Sequence, residues 1–178
     1  MVLILEGPNK CGKTTLAKFL VKEYNFAYFK DYTVDDKLDT SFDPRRIEYE
    51  ICAQARLLNS LAEYKLNIVV DRFHISEFVY GLCRRGYVSR AIDIAENVLK
   101  SDNAKLLLLT DEDEKINARV GKNDVDVINL YACGFRQSKL SKTILSNIFN
   151  ENSKILASAF LKLDLTKLKI SKMEKEFV

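Results

Sequence analysis

The chain has 178 residues, a length that suits one domain, and we expect a single domain over residues 1–178. Hydrophobic residues make up 47% of it and charged residues 30%, as in an ordinary globular protein with a full core. The net charge of +3 is too small to argue for a nucleic-acid or membrane partner, and no apolar run approaches the length that spans a bilayer.

A glycine-rich turn between a strand and a helix opens the chain. The apolar run Val2–Leu5 predicts a strand, and the amphipathic run Thr15–Val21 predicts a helix. Between them, Gly7–Thr15 reads G-P-N-K-C-G-K-T-T and contains the phosphate-binding motif G-x-x-x-x-G-K-[ST]. Such a turn aims successive backbone N–H groups at one point, where the helix N-terminus adds a partial positive charge. The motif in this context predicts a site for a nucleoside triphosphate.

Individual residues of this loop have separate predicted tasks. The Lys13 ammonium can reach the β- and γ-phosphates of the nucleotide, and the Thr14 hydroxyl can ligand Mg²⁺. The two motif glycines permit backbone angles that side chains forbid. We expect the nucleotide to be bound by Gly7, Asn9, Cys11, Gly12, Lys13, Thr14 and Thr15.

Runs of apolar residues that end in polar ones predict five buried parallel strands. They lie at Val2–Glu6, Phe26–Lys30, Asn67–Asp71, Lys105–Thr110 and Phe160–Leu165. Helical spacing predicts helices over Ile47–Tyr64 and Ala91–Leu99, and Asp126–Phe149 is expected to be helical for most of its length. Ser171 and Glu174 form a capping box at the start of a last helix. Strands alternating with helices predict an α/β fold, a three-layer P-loop NTPase domain with a five-stranded parallel sheet flanked by helices.

An acidic and a basic residue follow each other at the end of the third predicted strand. Ligands of such sheets lie beyond the carboxyl ends of the strands, so Asp71 and Arg72 should share one cleft with the phosphate loop. An acid here orients Mg²⁺ in P-loop enzymes, although Asp is also favoured as a helix N-cap. A guanidinium here suits bidentate phosphate binding, and the alternative for Arg72 is a surface ion pair.

The cysteines bear on the compartment. Cys11, Cys52, Cys83 and Cys133 form no C-x-x-C pair, and the chain has one histidine, so no zinc site is predicted. They are typical of reduced thiols in a cytoplasmic protein. The first strand follows Met1 directly and leaves no room for a signal peptide, which also favours a cytoplasmic location.

Four stretches together resemble the motifs of one enzyme family in order and spacing. Glu6–Thr15 is similar to its phosphate loop with a preceding Glu, and Val69–Ser76 to its Asp-Arg-aromatic motif followed by Ser. Cys52–Arg56 resembles a helical segment that ends in Arg, and Leu163–Leu168 the final strand and the turn after it. The chain thus resembles, over nearly its whole length, the thymidylate kinase-like group of P-loop nucleoside monophosphate kinases.

The resemblance implies transfer of a phosphoryl group from ATP, with Mg²⁺, to a deoxynucleoside monophosphate, dTMP or a related pyrimidine nucleotide, by a homodimer. It assigns the acceptor nucleotide to Asn9, Arg45 (or Arg46), Tyr49, Arg56, Arg72, Phe73 and Tyr80, and the metal to Thr14 and Asp71. It implies a mobile lid near residues 111–126, whose cations are Arg119 and Lys122. Catalysis would then rest on Lys13 and Arg72 with Lys10 and Arg119, the two candidates for stabilising the transferring phosphoryl group.

Three positions depart from the family and leave the base specificity open. Asn9 stands where the family usually has an Asp that contacts the acceptor sugar, and Gly81 stands where many members carry Gln. Cys52 falls where an aromatic stacker is frequent, and Tyr49, one turn earlier, is the available substitute.

Two other functions remain open at this stage. A deoxynucleoside kinase would need a base to deprotonate the sugar hydroxyl, and Asp31 after the second strand is the residue that could supply it. A GTPase-type switch would need D-x-x-G and N-K-x-D motifs, which Asp71–His74 and Gly121–Asp124 do not match. Transfer to a phosphate needs no general base, so we interpret His74 as a pocket-edge or structural residue.

Overall fold

The order of strands and helices follows the predicted alternation. A computed structural model describes residues 1–30, 43–99, 102–110 and 125–168. Its strands are β1 Val2–Glu6, β2 Ala27–Lys30, β3 Ile68–Asp71, β4 Ala104–Thr110 and β5 Ser141–Ser146. Its described helices are α1 Lys13–Tyr24, α2 Pro44–Glu63, α3 His74–Arg85, α4 Ala91–Glu96, α5 Val125–Gln137 and α6 Glu151–Leu161.

All five strands are parallel and lie in the order β2-β3-β1-β4-β5. β1 is therefore central, and both β1 and β3 are buried along their whole length. The register pairs Leu5 of β1 with Asp71 of β3, and Glu6 with Leu108 of β4. This register brings the start of the phosphate loop beside the end of β3, as the sequence predicted.

Each face of the sheet has its own core. Alternate residues of β1 point to opposite faces: Ile4 packs with α2, α3, α4 and α5, and Leu5 packs with α1 and α6. Helices thus cover both faces of a parallel sheet, so the predicted three-layer α/β fold is confirmed. In the described part of the chain, no helix is both long and apolar enough to cross a membrane.

The position of the fifth strand was predicted wrongly. Residues 160–165 do not form a strand, because α6 runs to Leu161 and a turn follows it. The strand is Ser141–Ser146, inside the segment that was expected to be mostly helical, and the helix α5 ends before it at Gln137. Its sequence, S-K-T-I-L-S, lacks the apolar run of a buried strand, because this is an edge strand in which only Leu145 is buried. Its pairing with β4, a contact distant in sequence, determines its conformation.

Two further predictions have different outcomes. The helices predicted over 47–64 and 91–99 are present as α2 and α4, although α4 ends earlier, at Glu96. The capping box at Ser171 and Glu174 lies outside the described residues.

Candidate nucleotide-binding site

The two glycines of the phosphate loop are required by its shape. Gly7 has φ +134°, and a Cβ there would lie 2.0 Å from the carbonyl oxygen of Leu109. Gly12 has φ +88°, and a Cβ there would lie 2.7 Å from Cγ2 of Ile148. Any other residue would therefore be strained by its backbone angle and would clash with β4 or with the segment after β5.

The Lys13 ammonium lies inside the loop. Its Nζ donates hydrogen bonds to the carbonyl oxygens of Gly7 (2.8 Å) and Pro8 (2.5 Å), and it is 3.5 Å from Sγ of Cys11. The Cys11 thiol also donates to the Pro8 carbonyl at 3.0 Å. The loop therefore surrounds a buried cation at the first residue of α1, where the helix N-terminus adds positive potential. Lys10 is exposed on the loop in the left-handed conformation, with φ 61°.

Side-chain oxygen atoms from the phosphate loop, from β2 and from β3 meet at one edge of the sheet. The Thr14 hydroxyl donates to Oδ2 of Asp71 at 2.6 Å, and the Tyr28 hydroxyl donates to the same oxygen at 3.1 Å. Hydroxyl and carboxylate oxygens are hard ligands that fit Mg²⁺. Within the described residues no cluster of three or more His, Cys, Asp or Glu side chains could hold a metal. A cation bound here would take its remaining ligands from water and phosphate oxygens, as Mg²⁺ usually does.

Arg72 connects the two strand ends from the other side. Its backbone has φ 71°, and its backbone N–H donates to the carbonyl of Leu5 at 2.9 Å. The guanidinium Nη2 donates to Oδ1 of Asn9 in the phosphate loop. Its Cζ also lies 5.2 Å from the centroid of the Tyr80 ring, and Cζ of Arg84 lies 4.5 Å from the same centroid. Two guanidinium groups thus flank the aromatic ring that sequence analysis assigned to the acceptor.

The carboxylate of Glu6 accepts hydrogen bonds from the first turn of α3. Oε1 accepts from the backbone N–H groups of Phe73 (2.9 Å) and Ile75 (3.1 Å). Oε2 accepts from the N–H of Ser76 (3.1 Å) and from its hydroxyl, which also contacts the Tyr131 hydroxyl at 2.8 Å. Burial raises the pKa of Glu6, and the His74 charge and the Ser76 hydrogen bonds partly offset that rise.

His74 takes part in a buried contact away from the loop. Its ring is fully buried, with Nε2 3.0 Å from Oε1 of Glu96. The other oxygen of Glu96 accepts from the Lys139 backbone N–H at 2.6 Å. Burial alone would raise the pKa of Glu96, but the hydrogen bonds from His74, Ser138 and Lys139 outweigh it and lower the pKa. This geometry gives His74 a structural contact between α3 and α4.

The remaining predicted site residues are spread more widely. Arg45, Tyr49 and Arg56 are exposed on α2, and no contact among the described residues links them to Arg72 or the loop. Phe73 is fully buried in the core, and 3% of Tyr80 is exposed. Asp31, Arg119 and Lys122 lie outside the described part, which omits residues 31–42 and 111–124.

Sequence reasoning missed three residues of this region. Tyr28 contacts Asp71 across 43 positions, and the hydrogen bonds of Glu6 reach across 67 to 70, so no local pattern indicates either contact. Arg84 follows Tyr80 by four positions, a spacing that places both on one face of a helix. Recognition of α3 as a helix would have identified Arg84.

Comparisons with known proteins extend this description. No protein-family model matches the chain, and no curated protein matches it either. Solved structures do match. The YorR protein of Bacillus subtilis, in complex with phosphorylated GDP, aligns with TM-score 0.66 and 24% identity over 91% of this chain and 94% of its own.

Two kinases align over a similar share of this chain, with lower TM-scores. Thymidylate kinase of Candida albicans gives TM-score 0.60 and 14% identity over 90% of this chain and 91% of its own. Deoxyadenosine kinase of M. mycoides gives TM-score 0.59 and 16% identity over 91% of this chain and 99% of its own. At these identities the likeness is one of fold. The chain therefore has a thymidylate kinase-like P-loop kinase fold, shared with nucleotide and nucleoside kinases.

Proposed function

We propose that the chain is a nucleoside monophosphate kinase that transfers the γ-phosphoryl group of ATP to a deoxynucleoside monophosphate, with dTMP or a related pyrimidine nucleotide as the acceptor. One observation carries the proposal: side chains for a donor and for an acceptor phosphate converge at two adjacent strand ends. Thr14 contacts Asp71 at 2.6 Å, and Arg72 contacts Asn9 of the same loop. A cleft of this kind suits transfer between two bound phosphates.

The residues divide the work between the two substrates. The loop N–H groups and Lys13 bind the donor β- and γ-phosphates, and the Thr14 and Asp71 oxygens hold Mg²⁺. Bound there, the metal supplies neutralisation of the phosphate charge. Arg72 binds the acceptor phosphate, because its planar fork matches two phosphate oxygens. The acceptor oxygen is already ionised, so the reaction needs no general base and His74 is free to be structural.

Further cations and the assembly complete the proposal. Charge spreads over the oxygens of the transferring group, and Lys10 on the rigid loop and Arg119 in the lid segment 111–126 share its stabilisation. The resemblance to thymidylate kinases supports a homodimer, and the four cysteines, typical of reduced thiols, support a cytoplasmic location.

The proposal is tested by a substrate panel. ADP release from ATP is measured with each common ribo- and deoxynucleoside monophosphate and with the free nucleosides, with Mg²⁺ and with EDTA. We expect dTMP or a close pyrimidine analogue to give the highest kcat/KM, and EDTA to abolish turnover. Higher activity on nucleosides than on every monophosphate would instead identify a deoxynucleoside kinase and direct attention to Asp31.

A further inference from the structure

We infer that Glu6 is a positioning residue, whose buried carboxylate holds the turn that aims Arg72 at the acceptor phosphate. The inference rests on the proposed function, because it concerns how that function's acceptor arginine is placed. Glu6 is the last residue of β1, directly before Gly7, so its backbone leads into the phosphate loop while its side chain binds the Arg72 turn.

The backbone of Arg72 needs such support. It has φ 71°, in the left-handed region that residues with a Cβ rarely adopt. A strained conformation of this kind persists only where the surrounding contacts determine it. On one side the Arg72 N–H is held by the carbonyl of Leu5 at 2.9 Å. On the other side the chain enters α3 at once, so hydrogen bonds to the backbone at the start of α3 also hold Arg72.

Glu6 supplies that second support through hydrogen bonds to the backbone of the turn. The N-cap residue of α3 is Phe73, whose side chain makes no capping hydrogen bond. The free N–H groups that every helix leaves at its start are instead bound by Glu6, at 2.9 Å for Phe73, 3.1 Å for Ile75 and 3.1 Å for Ser76. Such bonds are strongest when the acceptor carboxylate is ionised.

The buried carboxylate is costly, which argues for a task beyond packing. Glu6 is fully buried, and its burial raises the pKa, so the site disfavours the charge that the hydrogen bonds require. The Glu6 side chain thereby connects the end of β1, next to the phosphate loop, with the Arg72 turn. Through the Ser76 hydroxyl it is also linked to Tyr131 of α5. Movement of Glu6 would change the position of Arg72 relative to the loop.

The chain offers a matched control for this inference. Glu96 is also a buried carboxylate that accepts from a backbone N–H and contacts α3, through His74. It reaches α3 only through the His74 ring, and it makes no hydrogen bond to the phosphate loop or to the backbone of the Arg72 turn among the described contacts. Glu6→Gln keeps the volume of the side chain but replaces one acceptor oxygen with an NH₂ group that faces N–H donors. Glu96→Gln makes the same change at a buried carboxylate that hydrogen-bonds neither Arg72 nor the phosphate loop among the described contacts.

The experiment compares the two variants in steady-state kinetics, ATP binding and melting. For Glu6→Gln we expect acceptor kcat/KM to fall at least about tenfold while the Kd for ATP stays within about twofold. Glu96→Gln should keep both values within about twofold of wild type, even if its melting temperature falls as much as that of Glu6→Gln. Equal effects of the two variants, or a parallel loss of ATP binding in Glu6→Gln, would show that Glu6 only stabilises the fold.

A second variant covers failure of the first to fold. Ser76→Ala removes the hydroxyl contacts to Glu6 and Tyr131 and leaves the three backbone bonds of Glu6, so we expect a loss in acceptor kcat/KM of about two- to fivefold with ATP binding unchanged. If Glu6→Gln does not fold and Ser76→Ala leaves acceptor kcat/KM unchanged, the inference is overturned. A wild-type chain that phosphorylates no acceptor overturns the proposed function and this inference with it. An active wild type with an unaffected Glu6→Gln overturns the inference alone.

Discussion

Replacement of Lys13 separates its role in the loop from its role in catalysis. The Lys13 ammonium donates to the Gly7 and Pro8 carbonyls at 2.8 and 2.5 Å, so Lys13→Ala removes two hydrogen bonds as well as the phosphate contact. Both residues are buried, so the freed carbonyls lose their partner, and we expect a loss of about 1–3 kcal/mol in the free energy of unfolding. For a domain of this size each kcal/mol lowers the melting temperature by about 2–4 °C.

The effect on turnover should be far larger than this loss of stability explains. A domain with about 5–15 kcal/mol of stability stays folded after such a change. Removal of a charge-stabilising donor lowers kcat by about 10²–10³-fold. ADP release and thermal melting are measured on the same preparations, with Lys18→Ala, an exposed lysine of the same helix, as the control. Activity of Lys13→Ala within about tenfold of wild type would refute the assignment of the loop as the donor site.

Three further predictions address the acceptor, the second cation and a buried pair. Arg72→Lys should lower acceptor kcat/KM by about 10²-fold or more although the charge is kept, because a point charge cannot pair bidentately; a loss under about threefold would contradict this. Lys10→Ala should lower kcat more than Arg119→Ala does, with the Kd for ATP little changed by either; the opposite order would place this role in the lid. Hydrogen bonds lower the pKa of Glu96 below its ordinary 4.5, so its contribution to stability is fully present above pH 4.5 and is lost as pH falls through the lowered pKa. Denaturant unfolding of wild type and Glu96→Gln should therefore show a stability difference that shrinks below pH 4.5, whereas a constant difference would refute the linkage.

The parts of the fold that the sequence predicted are those determined by local pattern. β1 and β3 are buried on both faces, so each reads as a short apolar run. The loop between β1 and α1 has a motif whose glycines are required by φ values of +134° and +88°. The convergence of Thr14 and Asp71 then follows from a general rule, that parallel strands place their carboxyl ends at one edge of the sheet.

The errors and omissions come from contacts between distant parts of the chain. β5 carries only one buried residue, Leu145, and is a strand because β4 pairs with it. The predicted strand over 160–165 has apolar residues at both helical and strand spacing, and packing of Ala157 and Leu161 on the α1 side of the sheet favours the helix. The role of Glu6 was not predicted, because its hydrogen-bond donors lie in another strand–helix junction.

One departure from the thymidylate kinase pattern, Gly81, is built into the packing of α3. A Cβ on Gly81 would lie 3.1 Å from the ring of Tyr87 and 3.3 Å from Cβ of Ser89, closer than ordinary van der Waals contacts. Tyr87 therefore occupies space beside α3 that a larger residue at position 81 would need, and its hydroxyl donates to the buried carboxylate of Glu77. Restoring the family's Gln at this position would displace Tyr87 and disturb Glu77 together.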